Sequence, residues 1–288
     1  MALPLNNVPA AATNVFERLP PNPAQPSRLD QNPRYLQYAR FRSRFLPGER
    51  AVTVYLPAAY ITQPTRRFPV FYLQDGQNLI DERTAYVPGR TWRADSTADA
   101  LTEAGLIEPV ILVGIANMGA RRIAEYTHTR DLRHGGGAGP RYGRMLVEEL
   151  KPLVDHALRT LPDAANTALG GSSLGGLVAL QLALDYPQVF GKAAVCSPSV
   201  WWNRRAILER VGRARPKPDV RIWLDMGTAE GLSHLRDTDL LHRRLQQRGW
   251  RDGVDLDYLR VEGARHEESA WAARFDRVLG FLFPRSPV

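Results

Sequence analysis

The residues with the clearest capacity for chemistry are Gly171-Ser172-Ser173-Leu174-Gly175. They spell G-x-S-x-G between a short strand-compatible stretch, Asn166-Thr167-Ala168-Leu169, and an apolar helical run from Leu174 to Tyr186 that Pro187 stops. A serine on so tight a strand-to-helix turn is held in strained backbone with its Oγ clear of the sheet, and the flanking glycines remove the Cβ atoms that would keep strand and helix apart. Ser172 fits less well than Ser173, because Leu174 rather than glycine stands two residues after it. The chemistry implied is nucleophilic attack on an acyl carbon. The motif by itself also describes an ordinary Gly/Ser turn, so the reading depends on whether the chain supplies partners.

A serine hydroxyl needs a base to take its proton and a carboxylate to orient that base, in the chain order Ser, acid, His for this kind of turn. Of the six histidines, His266 alone follows a strand near the end of the chain, in Glu262-Gly263-Ala264-Arg265-His266. His156, His234 and His242 lie in or beside helical stretches, and His128 and His134 precede the serine. The acid is open between two residues. Glu230 lies on the loop Gly227-Thr228-Ala229-Glu230-Gly231 beyond the strand Val220–Met226 and is favoured on placement. Asp225 lies nearer the strand end, while Asp237 and Asp239 fall on the following helix. Two backbone N–H groups must meet the developing oxyanion. Leu174, directly after the serine, is one, and Gln77 in Asp75-Gly76-Gln77 is the other. The tetrapeptide His134-Gly135-Gly136-Gly137 imitates an oxyanion motif but comes after the fourth strand, one strand too late, and reads as a flexible glycine loop.

These residues require a scaffold, and the chain patterns for one. Tyr35–Phe45 alternates as an antiparallel strand, Pro47-Gly48 turns, and Ala51–Leu56 returns. Pro69–Leu73 and Pro109–Ile115 are continuous apolar runs, as strands covered on both faces are. The strand before the serine, then Ala193–Cys196, Val220–Met226 and Asp255–Val261, bring the set to about eight. Helical patterns occupy Thr91–Ala104, Arg141–Arg159, Leu174–Tyr186, Leu235–Gln247 and Glu268–Leu282. Two antiparallel strands entering a mostly parallel central sheet flanked by helices is the order of the α/β-hydrolase fold. Residues 1–34, rich in Pro, Asn and Ala, read as an N-terminal arm, and residues 35–288 as one α/β-hydrolase domain.

Composition narrows the partners. The chain of 288 residues carries a formal charge of +8, almost wholly from arginine, since Lys151, Lys192 and Lys217 are the only lysines. The arginines are dispersed and no nucleic-acid-binding motif accompanies them, so nucleic acid is not an expected partner. No apolar run is long enough to span a bilayer, so no membrane association is expected. No grouping has zinc-ligand spacing, so neither a metal nor an organic cofactor is implied. The N-terminus is a poor signal peptide, and the lone Cys196 fits a reducing compartment; both favour the cytoplasm. Oligomeric state is open.

Five segments together resemble one esterase family: Tyr72–Asn78, Gly171–Gly176, Cys196-Ser197-Pro198-Ser199-Val200-Trp201-Trp202, Leu224–Glu230 and Gly263–His266. That family includes enterochelin (siderophore) esterases, esterase-D-like enzymes, feruloyl and acetyl-xylan esterases and mycolyltransferases, and the resemblance covers about residues 36–284. It implies a Ser–acid–His triad with Glu230 as the acid, although many relatives carry Asp there. It also implies substrate-lining roles for Asp75, Arg122, Glu125 and Tyr126. Trp201 and Trp202 fall where the family places a substrate-side aromatic, with core packing an equal alternative. The expectation is a serine esterase acting on a small-molecule ester of siderophore, phenolic or acetyl type. An acyltransferase using the same triad, a non-catalytic binding protein of the same fold and a basic surface-binding module are the alternatives.

Overall fold

The continuous apolar runs form the middle of a nine-stranded sheet. The computed structural model describes residues 15–285, so the first fourteen residues of the expected arm lie outside it. The strands are β1 (Glu17–Arg18), β2 (Tyr35–Arg42), β3 (Glu49–Tyr55), β4 (Val70–Gln74), β5 (Ile111–Ile115), β6 (Arg130–Asp131), β7 (Gly135–Gly136), β8 (Thr167–Ser172), β9 (Lys192–Cys196), β10 (Arg221–Gly227) and β11 (Leu256–Val261). The large sheet runs β1-β2-β3-β5-β4-β8-β9-β10-β11, and β6 and β7 form a separate hairpin. The pairs β1/β2, β2/β3 and β3/β5 are antiparallel, and every later pair is parallel. This is the α/β-hydrolase arrangement the sequence implies.

Alternation within β4 and β5 explains why those strands are apolar throughout. Val70, Tyr72, Ile111 and Val113 face one core with the helices Leu174–Asp185 and Trp202–Arg213. Phe71, Leu73 and Leu112 face another, with the helices Ala94–Glu103 and Phe275–Leu282. Both faces are dry, so polar atoms are few on these strands: Gln74 Oε1 accepts from the Tyr142 hydroxyl, while the buried Tyr72 hydroxyl has no partner among the described residues. The helix after the serine is buried at its first ten positions, Leu174–Ala183, and its apolar residues cover every face accordingly.

Two helical expectations change, and one helix is additional. The Arg141–Arg159 pattern spans Gly139–Ala157 but passes through a π-helical segment at Leu146–Leu150, directly before Lys151-Pro152. A proline inside a helix lacks the N–H for its i→i−4 bond, and a wider turn accommodates the gap. Glu268–Leu282 divides into Glu268–Ala272 and Phe275–Leu282, with Arg274 at the break. The Trp202–Arg213 helix was not expected at all, and Asn203, Arg204 and Arg205 near its start have left-handed backbone. Residues 15–34 are docked: β1 pairs with β2, and Leu19 and Leu29 are buried. The glycine tetrapeptide is no loose loop, because Gly135 and Gly136 pair with Asp131 and Arg130 across the hairpin.

Candidate active site

Ser173, Gln77, Glu230 and His266 follow the carboxyl ends of the parallel strands β8, β4, β10 and β11. Ser173 follows β8 with φ 59° and ψ −122°, the only strained backbone between strand and helix at that turn. A Cβ on Gly176 would lie 2.9 Å from the Cys196 carbonyl oxygen, so only glycine lets the new helix pass that close to β9. Ser173 N–H donates to the same carbonyl at 3.0 Å, which ties the turn to the end of β9. The turn after β9 then touches both halves of the site. Ser199 Oγ lies 3.2 Å from Ser173 Oγ, and Ser197 Oγ donates to Glu230 Oε1 at 2.6 Å.

His266 and Glu230 are brought together. Nδ1 of the imidazole lies 2.6 Å from Glu230 Oε2, with His266 41% exposed and the glutamate side chain fully buried. Burial alone would raise the Glu230 pKa, but the bonds from His266, the Ser197 hydroxyl and the Gly227 N–H outweigh it and hold the carboxyl below its usual value. An ionised carboxylate only accepts, so Nδ1 carries the proton and Nε2 is left as a free base. Asp225, the other acid considered, turns away from the histidine. It is sealed below the surface, where it accepts from Arg274 Nη2 at 2.8 Å, Ser197 N–H at 3.1 Å and Trp223 Nε1 at 2.7 Å. Among the described residues Ser173 Oγ hydrogen-bonds Ser199 rather than His266.

The oxyanion candidates have the geometry their role needs. Asp75 takes left-handed backbone at φ 55° and starts a single 3₁₀ turn, Gly76–Asn78. Neither the Leu174 nor the Gln77 N–H has a hydrogen-bond acceptor among the described residues, whereas the Gln77 side chain accepts from Asn117 N–H at 3.2 Å. Two free N–H groups, one at a helix N-terminus, form a place for developing negative charge.

The expected lining residues separate into surface and interior. Asp75 and Arg122 form a two-pronged pair at 2.8 Å and 2.8 Å, and Asp75 Oδ1 also accepts from Asn117 at 2.6 Å. Arg122 stays partly exposed. Glu125 does not line the site. It is buried and both its oxygens are taken by the equally buried Arg50, at 2.8 and 3.1 Å, because a carboxylate this deep requires a counter-charge. Tyr126 is also interior: its ring packs on Tyr142 and its hydroxyl accepts from Asp75 N–H at 3.2 Å, so it supports the turn from beneath. Trp202 is core, with Nε1 donating to the Thr129 carbonyl at 3.0 Å, while Trp201 is 38% exposed. His134 packs edge-on against Trp201 and at a tilt against Trp202 and bonds Asp131, which accounts for the tetrapeptide's histidine.

Sequence reasoning missed Ser199, Arg274 and Trp271. Ser199 stood in a quoted motif without a role. Arg274 and Trp271 gave no signal, since an arginine and a tryptophan in an amphipathic helix read as rim and core. Among the described residues no group of three or more His, Cys, Asp or Glu could hold a metal ion, and no helix is long and apolar enough to cross a membrane.

Comparison with known proteins agrees with this architecture. The family model described as "Putative esterase" matches residues 43–282. The chain is 25% identical over 253 residues to the uncharacterized protein YbbA of Bacillus subtilis, covering 83% of this chain and 94% of that one. It is 29% identical over 222 residues to the iron(III) salmochelin esterase of Escherichia coli, covering 70% of this chain and 48% of that one. Among solved structures, the BES protein from Bacillus cereus superposes with a TM-score of 0.71 at 21% identity, over 91% of this chain and 99% of that one. At that identity the likeness is one of fold.

Proposed function

The chain belongs to this esterase family, and from that premise we propose that it hydrolyses a small carboxylic ester through an acyl-enzyme on Ser173. The observation that carries the reading is the 2.6 Å bond between His266 Nδ1 and the buried Glu230 carboxylate, joined to the strained serine through the Ser197–Ser199 turn. Ser173 Oγ attacks the ester carbonyl carbon while His266 Nε2 takes its proton. The oxyanion that forms accepts from the Leu174 and Gln77 N–H groups. As the tetrahedral intermediate collapses, the C–O bond to the leaving alcohol breaks, and the imidazolium returns its proton to that oxygen. Water repeats the sequence: His266 takes its proton, its oxygen attacks the acyl carbon, and Ser173 leaves with the proton restored. Glu230 holds the imidazole in the working tautomer and balances its charge. For this cycle the Ser173 hydroxyl must leave Ser199 and turn to Nε2 when substrate binds, a tightening common to such sites.

The substrate in this reading is an ester of siderophore, phenolic or acetyl type, supported by the salmochelin esterase relative. In this reading Arg122 and Trp201 meet it, which their partial exposure supports. The reading includes a reducing, cytoplasmic compartment, which the single buried thiol of Cys196 supports. Hydrolysis of short and medium p-nitrophenyl esters by the natural chain and by Ser173→Ala tests the reading. Turnover abolished by that substitution is the expected result, a loss on the order of 10⁴-fold or more. Undiminished turnover by Ser173→Ala would refute the assignment.

A further inference from the structure

Beneath His266 and Glu230 lies a buried cluster that the reaction cycle above does not use. Ser197 Oγ receives hydrogen bonds from Trp271 Nε1 at 3.0 Å and from Arg274 Nη2 at 2.7 Å. A hydroxyl has two lone pairs and one proton. With both lone pairs occupied, its proton can go only to Glu230 Oε1, 2.6 Å away. Arg274 is almost fully buried and reaches two carboxylates with the same nitrogen, Asp225 Oδ1 at 2.8 Å and Glu230 Oε1 at 3.7 Å. The helix break between Ala272 and Phe275 turns this guanidinium inward, and Nη1 donates to the Ala270 carbonyl at 3.0 Å. The Trp271 ring also packs edge-on against His266, with centroids 4.9 Å apart.

Resting on the esterase reading, we propose that Arg274 and Ser197 are positioning residues that fix both the ionisation and the orientation of the Glu230 carboxylate, and through it the His266 tautomer. Every proton in the relay then has one direction, from Trp271 and Arg274 to Ser197, from Ser197 to Glu230 Oε1, and from His266 Nδ1 to Glu230 Oε2. The charges point the same way. Asp225, Glu230 and Arg274 together carry one excess negative charge while the imidazole is neutral. That excess is cancelled when His266 takes the serine's proton, so the cluster favours the charge state of the transition state. The groups facing Glu230 from β9, β10, the helix break and the histidine loop are Cys196, Asp225, Arg274 and His266. The Cys196 thiol, its pKa pushed up by burial, stays neutral and adds no charge. Without Arg274 two buried carboxylates would share one small region, and such a pair retains a proton to higher pH. A proton on Glu230 would remove the acceptor that His266 needs.

The test compares the natural chain, Ser173→Ala, Ser197→Ala, Arg274→Gln and the double variant Asp225→Asn/Arg274→Gln, each followed as kcat and KM against pH with a fluorophosphonate count of reactive sites. For Ser197→Ala and Arg274→Gln, kcat at neutral pH should fall about tenfold or more with KM within about twofold, as for other residues that orient a catalytic group. The acid limb of kcat/KM should move to higher pH, and Asp225→Asn should return it in the Arg274→Gln background by removing the competing carboxylate. A limb that stays at its natural position, with the loss confined to thermal stability or to the number of labelled sites, would overturn the proposal and leave Arg274 a packing residue. Failure of the underlying reading looks different: the natural chain would not turn over, or Ser173→Ala would match it.

Discussion

At Glu230 a carboxylate with no exposed surface remains ionised, and its contacts define what single substitutions should do. Glu230→Gln keeps the shape but directs an amide donor or a weak neutral acceptor at Nδ1, so the imidazole loses its orienting charge. We expect kcat to fall roughly 10³-fold with little change in KM, measured with the same p-nitrophenyl esters. The folded-state pKa of Glu230 is depressed, so its ionisation stabilises the fold above the unfolded-state value of 4.5, and this contribution is lost as pH falls through the lower folded value. His128 also weakens the fold in acid, but by becoming charged rather than neutral. Burial, then the Arg210 charge, push its pKa from 6.5 down to about 4, against a smaller opposing contact with the Ala206 backbone. Between those values the unfolded chain binds the proton and the folded chain does not, so stability falls as pH drops across that window. His128→Leu should flatten the decline of the urea midpoint between neutral pH and the lower end of the window; parallel slopes for the two proteins would refute this. Lys192 is a third case. Its amine is pushed down to about 8 by burial and by Arg221, while Lys151 and Lys217 are each paired with a carboxylate. Trinitrobenzenesulfonate near pH 8 should therefore modify Lys192 fastest of the three, as peptide mapping would read.

At the scale of elements, the eight longer strands were legible, the two-residue strands β1, β6 and β7 were not, and the helices were less so. Val70–Gln74 and Ile111–Ile115 could be read because burial on two faces leaves an unbroken apolar run, which a local window detects. The Trp202–Arg213 helix was not read because its start carries three left-handed residues and its exposed face is rich in arginine, which masks the apolar spacing. The break at Arg274 was missed for a related reason: neither proline nor glycine marks it, and the partner Arg274 meets there, the Asp225 carboxylate, is distant in sequence. The turn after β4 shows how an element can set chemistry. A Cβ on Gly76 would lie 2.4 Å from the backbone carbon of Gly114 in β5, so Gly76→Ala must push the Asp75–Asn78 turn off the sheet. Because Gln77 N–H belongs to that turn, the substitution should lower kcat by about 10²-fold, the usual effect of a lost oxyanion donor, and reduce Tm as well. Full kcat with only a lower Tm would remove Gln77 from the oxyanion site.

Over the whole molecule, the described part of the N-terminal arm is joined to the domain by apolar and ionic contacts. Leu29 is buried in the core that holds Phe71 and Phe275, Arg28 bonds Asp95 at 2.7 Å, and Arg83 bonds Asp30 at 2.8 Å. Neither pair is a fully exposed one, since Asp95 is buried and Arg83 and Asp30 are both largely covered, so they add to what Leu29 contributes. Leu29→Ala should cost about 2–4 kcal/mol in denaturant unfolding and leave KM unchanged, since no described hydrogen bond or ion pair of residues 15–34 reaches Ser173, Glu230 or His266. The sequence by itself determined the mostly parallel sheet, the serine turn, the terminal histidine and the order in which they come. Those are local signals, because a strand's burial, a glycine turn and a helix start are each encoded within a few adjacent residues. Only the tertiary structure decided which carboxylate meets His266, that Glu125, Tyr126 and Trp202 face inward, and that Arg274 sits under the site. Those outcomes are pairings across long separations, 36 residues for Glu230 with His266, 49 for Asp225 with Arg274 and 77 for Ser197 with Arg274. They follow from which charges must be neutralised once the two cores exclude water, and no local pattern in a single chain encodes that.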